Sequence, residues 1–427
     1  MFKQFIQKRL EGSVKKYFKK HPEVKLIVVT GSVGKTSTKR ALATLLSQRY
    51  RVQMENSNHN TELSAPLGIL GVEYPVSKVK NPLAWLAVLS AARKRVKDPT
   101  GVDVIIQELG TDKLGQIAQF GKYLRPDIAV ITGVTPEHME FFGTLDAVAE
   151  EELTAGNFSR LAVINRDDIA SEFSKYLTNT NLTTYGTSGA AEYRFEEIDF
   201  SLADGYIGQV VAPEFVELLP VQVRVVGEHS LHPVMGAVAV GLKLGLTPED
   251  IQNGLKLIRP VPGRMNLLKG IDGTTIIDDT YNSSPAAASA ALQALYSLQV
   301  PQRIAVLGSM NELGASSAEE HRKIGILCDP SLLSWVITIG DDAEQHLAPA
   351  ARARGCQVKT FKNAIDAGTF ARSVSEPGAA ILVKGSQGEI YAEEAVKILC
   401  LMSEDVELVR QDPHWLKIKD GFFSKFS

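Results

Sequence analysis

Leu26-Ile27-Val28-Val29-Thr30-Gly31-Ser32-Val33-Gly34-Lys35-Thr36-Ser37 decides how the rest of the chain is read. A short β-branched run leads into a loop with two glycines. Thr38-Lys39-Arg40-Ala41-Leu42-Ala43-Thr44-Leu45-Leu46 follows, a stretch of helical composition. Strand, glycine loop and helix in that order form a nucleotide-phosphate cradle. Glycines let backbone N–H groups turn toward phosphate oxygens, and Lys35 balances charge on the β- and γ-phosphates. The Thr36 hydroxyl can ligate magnesium, and the helix N-terminus favours an anion. Gly31, Ser32, Val33, Gly34, Lys35, Thr36 and Ser37 are therefore the expected phosphate-binding residues. The strict GxxxxGK[ST] pattern is not met, since Val29 stands at its first glycine position. A structural turn with a solvated lysine would explain the Gly-Lys pair alone, but not the strand before it and the helix after it.

Outward from the loop, Val102–Ile106, Ile128–Thr132 and Leu161–Asn165 read as further buried strands separated by helical stretches. That is the pattern of a mostly parallel sheet with helices on both faces. Residues 190–226 alternate in short segments and suggest an antiparallel annex, and 229–257 reads as helical. Arg259-Pro260-Val261-Pro262-Gly263-Arg264 is a proline-rich joint. A second α/β series follows, with strands expected at Thr274–Asp278, Arg303–Leu307, Trp335–Ile339 and Ala380–Val383. Residues 2–20 place Phe2, Phe5, Ile6, Leu10, Val14, Tyr17 and Phe18 at helical spacing among many lysines, an amphipathic basic helix. It is expected to pack its apolar stripe on the following domain, with an anionic membrane surface as the alternative. The expected division is a helix in 1–23, a central domain over 24–260 and a C-terminal domain over 261–427.

The chain's 427 residues exceed one ordinary core, and 44% hydrophobic with 22% charged residues is a globular composition. A net charge of −3 leaves no basic footprint for nucleic acid. Cys328, Cys356 and Cys400 are too scattered for a zinc site or a disulfide framework. No apolar run is long enough to span a bilayer, and the N-terminus lacks the apolar core of a signal peptide. These features lead to the expectation of a cytoplasmic monomer acting on small molecules, without stable membrane insertion.

The variant loop Thr30–Thr36 resembles the ATP loop of the Mur ligase superfamily. Other segments continue the resemblance in order: Asn60–Leu67, Glu108-Leu109-Gly110, Arg125–Thr132, Pro136-Glu137-His138 and Phe142–Leu145. In the second half Pro262-Gly263-Arg264, Ile277–Asn282, Ala305–Met310, Glu312-Leu313-Gly314, His321-Arg322 and Val383–Ser386 match as well. The match runs over about residues 25–390 and is closest to the branch that adds D-alanyl-D-alanine. It implies an α/β fold: a central P-loop ATPase domain with a mostly parallel sheet, then a C-terminal Rossmann-like ligase domain. It also implies ATP and Mg2+, and a reaction in which a substrate carboxylate takes the γ-phosphoryl group before an amine displaces phosphate. By the same resemblance Thr36 and Glu108 would hold one magnesium, and His138 with Glu108 a second. Lys35, Glu108, His138 and Glu152 would be the catalytic residues. Arg264 would reach the phosphates, Asp279 the ribose and Asn282 the nucleotide, while Lys384 and Ser386 would meet the incoming amine.

Three departures stand out. The loop lies so near the start that the resemblance implies no N-terminal domain for the UDP part of a substrate. Ligases that build polyglutamate tails on folate also lack that domain. A folate-type or lipid-linked acid is therefore the alternative to a UDP-muramoyl tripeptide. Glu152 stands where the family usually has a carbamylated lysine, although a one-residue shift would select Glu151. Ser230 and Pro233 replace usual asparagines in Gly227–Pro233, where His229 fits. These changes also leave a catalytically silent ATP-binding protein as a third reading.

Overall fold

The computed structural model describes residues 2–55, 59–75, 81–98, 101–136 and 139–426. Its first sheet contains β1 (Lys25–Thr30), β2 (Val52–Met54), β3 (Val104–Glu108), β4 (Ile128–Ile131), β5 (Leu161–Asn165), β6 (Leu182–Gly186), β7 (Tyr193–Ser201), β8 (Gly205–Val211) and β9 (Leu219–Val223). The strand order is β2-β3-β1-β4-β5-β6-β7-β8-β9. Pairing is parallel from β2 through β7 and antiparallel from β7 to β9. β3 and β4 are buried along their whole length, and β1 from Leu26 onward, because helices cover both faces.

The helices here are α1 (Phe2–Lys20), α2 (Lys35–Leu46), α3 (Ala65–Leu70), α4 (Pro82–Lys97), α5 (Gln116–Phe120), α6 (Met139–Phe142), α7 (Leu145–Asn157), α8 (Leu231–Lys243) and α9 (Pro248–Leu255). Leu42, Leu45, Met235, Val238 and Leu255 of α2, α8 and α9 pack on one face of the sheet. Ile6, Leu10, Val14 and Tyr17 of α1 pack on the other, with Leu67, Trp85, Leu89 and Phe120. The stripe of α1 is thus committed to the core, while Phe2 and Phe5 stay exposed.

The second sheet contains β10 (Asn266–Lys269), β11 (Thr275–Asp279), β12 (Arg303–Gly308), β13 (Trp335–Ile339), β14 (Val358–Phe361) and β15 (Ala380–Lys384), in the order β10-β11-β15-β12-β13-β14. Only β10 runs antiparallel to its neighbour. Around it lie α10 (Pro285–Ser297), α11 (Ser317–Leu327), α12 (Ala348–Ala353), α13 (Ala364–Val374), α14 (Glu393–Leu399) and α15 (Pro413–Phe423).

The buried strands stand where the apolar runs put them, shifted by one or two residues at some ends. β2, β6, β10 and β14 were not expected. Three of them are sheet edges, and each is short and part-exposed, with polar residues breaking any apolar run. The stretch 229–257 is not one helix. Gly245 turns left-handed at φ +88°, and Thr247 restarts the chain as α9 with a reciprocal capping box to Asp250.

Leu10 is fully buried at the heart of the α1 contact. Leu10→Ala should cost about 2–5 kcal/mol in urea unfolding. Exposed Lys15→Ala should stay within about 0.5 kcal/mol of the parent.

Candidate functional site

The glycine loop leaves β1 at the carboxyl edge of the sheet, where parallel strands gather ligands. Gly31 has φ +129°, and a Cβ there would stand 2.2 Å from Thr132 Oγ1 and 2.9 Å from the Gly133 nitrogen. Gly34, at φ +80°, turns the chain into α2. The loop end is pinned from β4: Ser32 N donates to Gly133 O (2.9 Å), and Thr135 N donates to Ser32 Oγ (3.1 Å). Lys35 Nζ folds over the loop and donates to the carbonyls of Gly31 and Ser32.

Beside it, Glu108 ends β3 and is almost wholly buried. Thr36 Oγ1 donates to its Oε2 (3.1 Å) and Asn60 Nδ2 to its Oε1 (3.2 Å), and Lys39 Nζ lies 3.5 Å from Oε2. Glu152 reaches the loop from beneath, accepting from Gly31 N (2.8 Å) and from the Thr30 hydroxyl. Glu151, one residue earlier, turns instead to the backbone of Gly115 and Ile117 and to Thr111 at the start of α5. His138 lies outside the described residues.

From the second lobe, Arg264 brings a terminal nitrogen to 3.5 Å from Thr36 Oγ1 and stacks over the Tyr281 ring at 4.3 Å. Its Nε is buried with no partner. Asp279 accepts from Met265 N (3.1 Å) and from Lys384 Nζ (2.5 Å). Lys384, expected to meet the incoming amine, is 2% exposed and also donates to Asn282 O (3.1 Å). Apolar strand β15 carries it inward, and its direct effect is on Asp279 and the 279–282 loop. Ser386 accepts from Asn311 N (2.9 Å), lies close to Ser283 O (3.4 Å) and is fully buried. In this arrangement Ser386 supports the loops behind the cavity. The loop, Glu108, Arg264, Asp279, Asn282 and Lys384 share one cavity of about 820 Å3 between the lobes.

Three groups that the sequence reading passed over, His232, Lys39 and Arg410, belong to this region. His232 lies in the cavity wall with Nδ1 2.8 Å from Asp168 and Nε2 3.3 Å from Asp167. Burial lowers its pKa, but the hydrogen bonds to the two aspartates outweigh that and raise it to about 9. His229 is the reverse, since burial pushes it down to about 4 and it is neutral at pH 7. Adjacent acids at the end of β5 were the available signal. Lys39 gave none, because a lysine on a helix usually faces water. Arg410, in the C-terminal tail, donates to the Tyr281 and Thr280 carbonyls (3.0 and 2.6 Å) and pairs with buried Glu393 (2.6 Å). It braces the loop that carries Tyr281 and Asn282.

A hydroxyl and a carboxylate side by side are hard oxygen donors of the kind magnesium takes, with phosphates completing its shell. Thr36 and Glu108 fit that role, and the unpartnered Arg264 Nε fits an anion next to them. Among the described residues no group of three or more His, Cys, Asp and Glu side chains gathers as a metal cage.

Residues 29–241 match the model of the Mur ligase middle domain, and residues 263–387 that of the Mur ligase glutamate ligase domain. The UDP-N-acetylmuramoyl-tripeptide--D-alanyl-D-alanine ligase of Bacillus subtilis is 28% identical over 387 residues, covering 88% of this chain and 76% of the relative. Two solved structures share the fold with a TM-score of 0.74 and 24% identity. They are MurF from Acinetobacter baumannii, with 91% of this chain and 79% of that one covered, and MurF ligase from Thermotoga maritima in complex with ADP, with 92% and 83%.

Arg410→Ala strips a buried carboxylate of its main partner, and urea unfolding should show a loss of about 3 kcal/mol. His232 has a folded pKa above its unfolded value of about 6.5, so its ion pairs stabilise fully below that pH. Their contribution, at most about 3 kcal/mol, is lost as pH rises through about 9. In urea titrations from pH 6.5 to 9.5, His232→Gln should flatten that decline.

Proposed function

We propose, from the premise that this chain belongs to the Mur ligase superfamily and is an ATP-dependent carbon–nitrogen ligase, that it joins D-alanyl-D-alanine to a UDP-muramoyl tripeptide in peptidoglycan precursor synthesis. One observation carries the reading: Arg264 of one lobe meets Thr36 of the other, and Thr36 is bonded to Glu108. A phosphoryl group placed there would face cations from both lobes. Phosphoryl transfer needs little more than charge neutralisation and alignment, and an arrangement of this kind supplies both.

In this reading residues 24–260 bind ATP and 261–427 close over it about the 259–263 joint. Lys35 leaves its own loop carbonyls for the β- and γ-phosphates, and the Gly31–Ser37 backbone holds the remaining phosphate oxygens. Magnesium bound by Thr36 and Glu108 would neutralise phosphate charge. Arg264 stabilises charge on the transferring group as the substrate carboxylate attacks γ-phosphorus and ADP leaves. The amine then attacks the acyl phosphate and phosphate departs. Asp279 and Asn282 face the nucleotide, and Lys384 holds Asp279 in place. His138 is proposed as a metal ligand on the family's pattern alone.

Glu152 takes the place of the carbamylated lysine as a fixed anion, and it acts by tethering Thr30 and Gly31 at the root of the phosphate loop. Having no side-chain amine, it has no use for carbon dioxide.

ADP release with ATP, magnesium, UDP-muramoyl tripeptide and D-alanyl-D-alanine tests the substrate pair. Lys35→Ala should lower turnover at least about 100-fold. Silence on this pair with turnover on another acid and amine would move the chain to another branch of the superfamily. Removing bicarbonate should change nothing, whereas Glu152→Ala should lose most activity. A fully active Glu152→Ala enzyme would refute the tether.

A further inference from the structure

The outer layer of the first lobe carries a positive charge of which only Lys3 reaches the cleft. α1 has seven basic residues and one acidic, and α4 has four basic and none acidic, in a chain of net charge −3. Lys3, Lys8, Arg9, Lys15, Lys16 and Lys19 are all exposed, and among the described residues no carboxylate pairs with any of them. The two helices pack together on one apolar cluster, and Lys20 Nζ donates to Lys97 O at their C-terminal ends. Their first turns leave large apolar side chains in water: Phe2 and Phe5 are each 50% exposed, Leu83 72% and Leu86 59%. On the helical wheel Phe5 falls opposite the packed stripe, among Lys8, Arg9, Lys16 and Lys19, and the Arg9 guanidinium lies 5.0 Å from its ring centre.

We propose that α1 and α4 dock this protein on an anionic phospholipid bilayer. Unpaired lysines and arginines around projecting apolar side chains complement such a surface. The cations meet the headgroups, and the phenylalanines and leucines enter the acyl boundary. Nucleic acid would use the cations but offers leucine no stacking partner. No described helix is long and apolar enough to cross the membrane, so the contact is peripheral. The inner stripe of α1 is already spent on the core, which means the helix docks by its outer face without leaving the fold. Lys3 also lines the cavity, so docking sets one rim of the cleft at the lipid surface. The inference goes beyond the ligase reading and does not require its substrate pair.

Cosedimentation of the full chain tests this, with vesicles of phosphatidylcholine alone and with vesicles one-third phosphatidylglycerol. Binding should need the anionic lipid and weaken as salt is raised. Reversing Lys8, Arg9, Lys16 and Lys19 to glutamate should weaken it at least about tenfold. Phe5→Ala should weaken it severalfold without removing the salt dependence. Replacing the same four cations with glutamine provides a milder variant should the reversal disturb folding, and a thermal melt checks each. ADP release in solution should be unchanged in all of them, so ligase activity and docking fail separately. Equal binding to both vesicle types, no binding, or binding indifferent to the charge changes would overturn the proposal. So would binding of an RNA oligonucleotide through these cations without binding of vesicles.

Discussion

A buried carboxylate must be paired, and Glu108 sets that demand at the centre of this molecule. It ends a strand sealed on both faces, and Thr36, Asn60 and Lys39 come to it from three directions. Meeting the demand fixes where α2 begins relative to β3, and therefore where the phosphate loop opens. It also leaves the side chain an acceptor beside a hydroxyl, a useful pair for a hydrated cation and its phosphates. Glu152 works on the other end of the same loop, tying Thr30 and Gly31, where β1 ends, to α7. The loop is thus fastened by carboxylates at both ends and by β4 along its side.

The second lobe repeats the device. Asp278 accepts from Gly263 N and Asp279 from Met265 N, so two neighbouring aspartates hold the backbone on either side of Arg264 at the end of the proline joint. Burial raises the Asp278 carboxyl to about 6, while Asp279 is paired with Lys384. Arg410 fastens the following carbonyls and is itself paired with Glu393, which Lys419 also approaches. This ionic cluster braces the 279–282 loop next to the joint, and Arg264 projects from that joint toward Thr36.

Legibility followed locality. Buried parallel strands carry a continuous apolar run, so β1, β3, β4, β5, β12 and β13 could be seen from composition alone. Edge strands such as β2 and β14 satisfy one side with solvent and carry no such mark. Nothing in the sequence marked Lys384 as the partner of Asp279, which lies over a hundred residues away. Arg410 looked like any tail residue for the same reason. Asp167 and Asp168 were visible as paired acids at a strand end, but their histidine is contributed by α8.

By itself the sequence determined the strand, glycine loop and helix over 25–46, because glycine conformational freedom, a β-branched strand and a helix start are local properties. It also determined α1 over residues 2–20 and the joint at 259–264, for equally local reasons. Only tertiary structure decided between Glu151 and Glu152. The two are a single helical step apart on α7, about 100° around the axis, so nothing in their order distinguishes them. Packing of α7 points one at the start of α5 and the other at Gly31. It likewise decided that the stripe of α1 faces the core and its cations face outward, since a helix buries whichever face the sheet offers a partner.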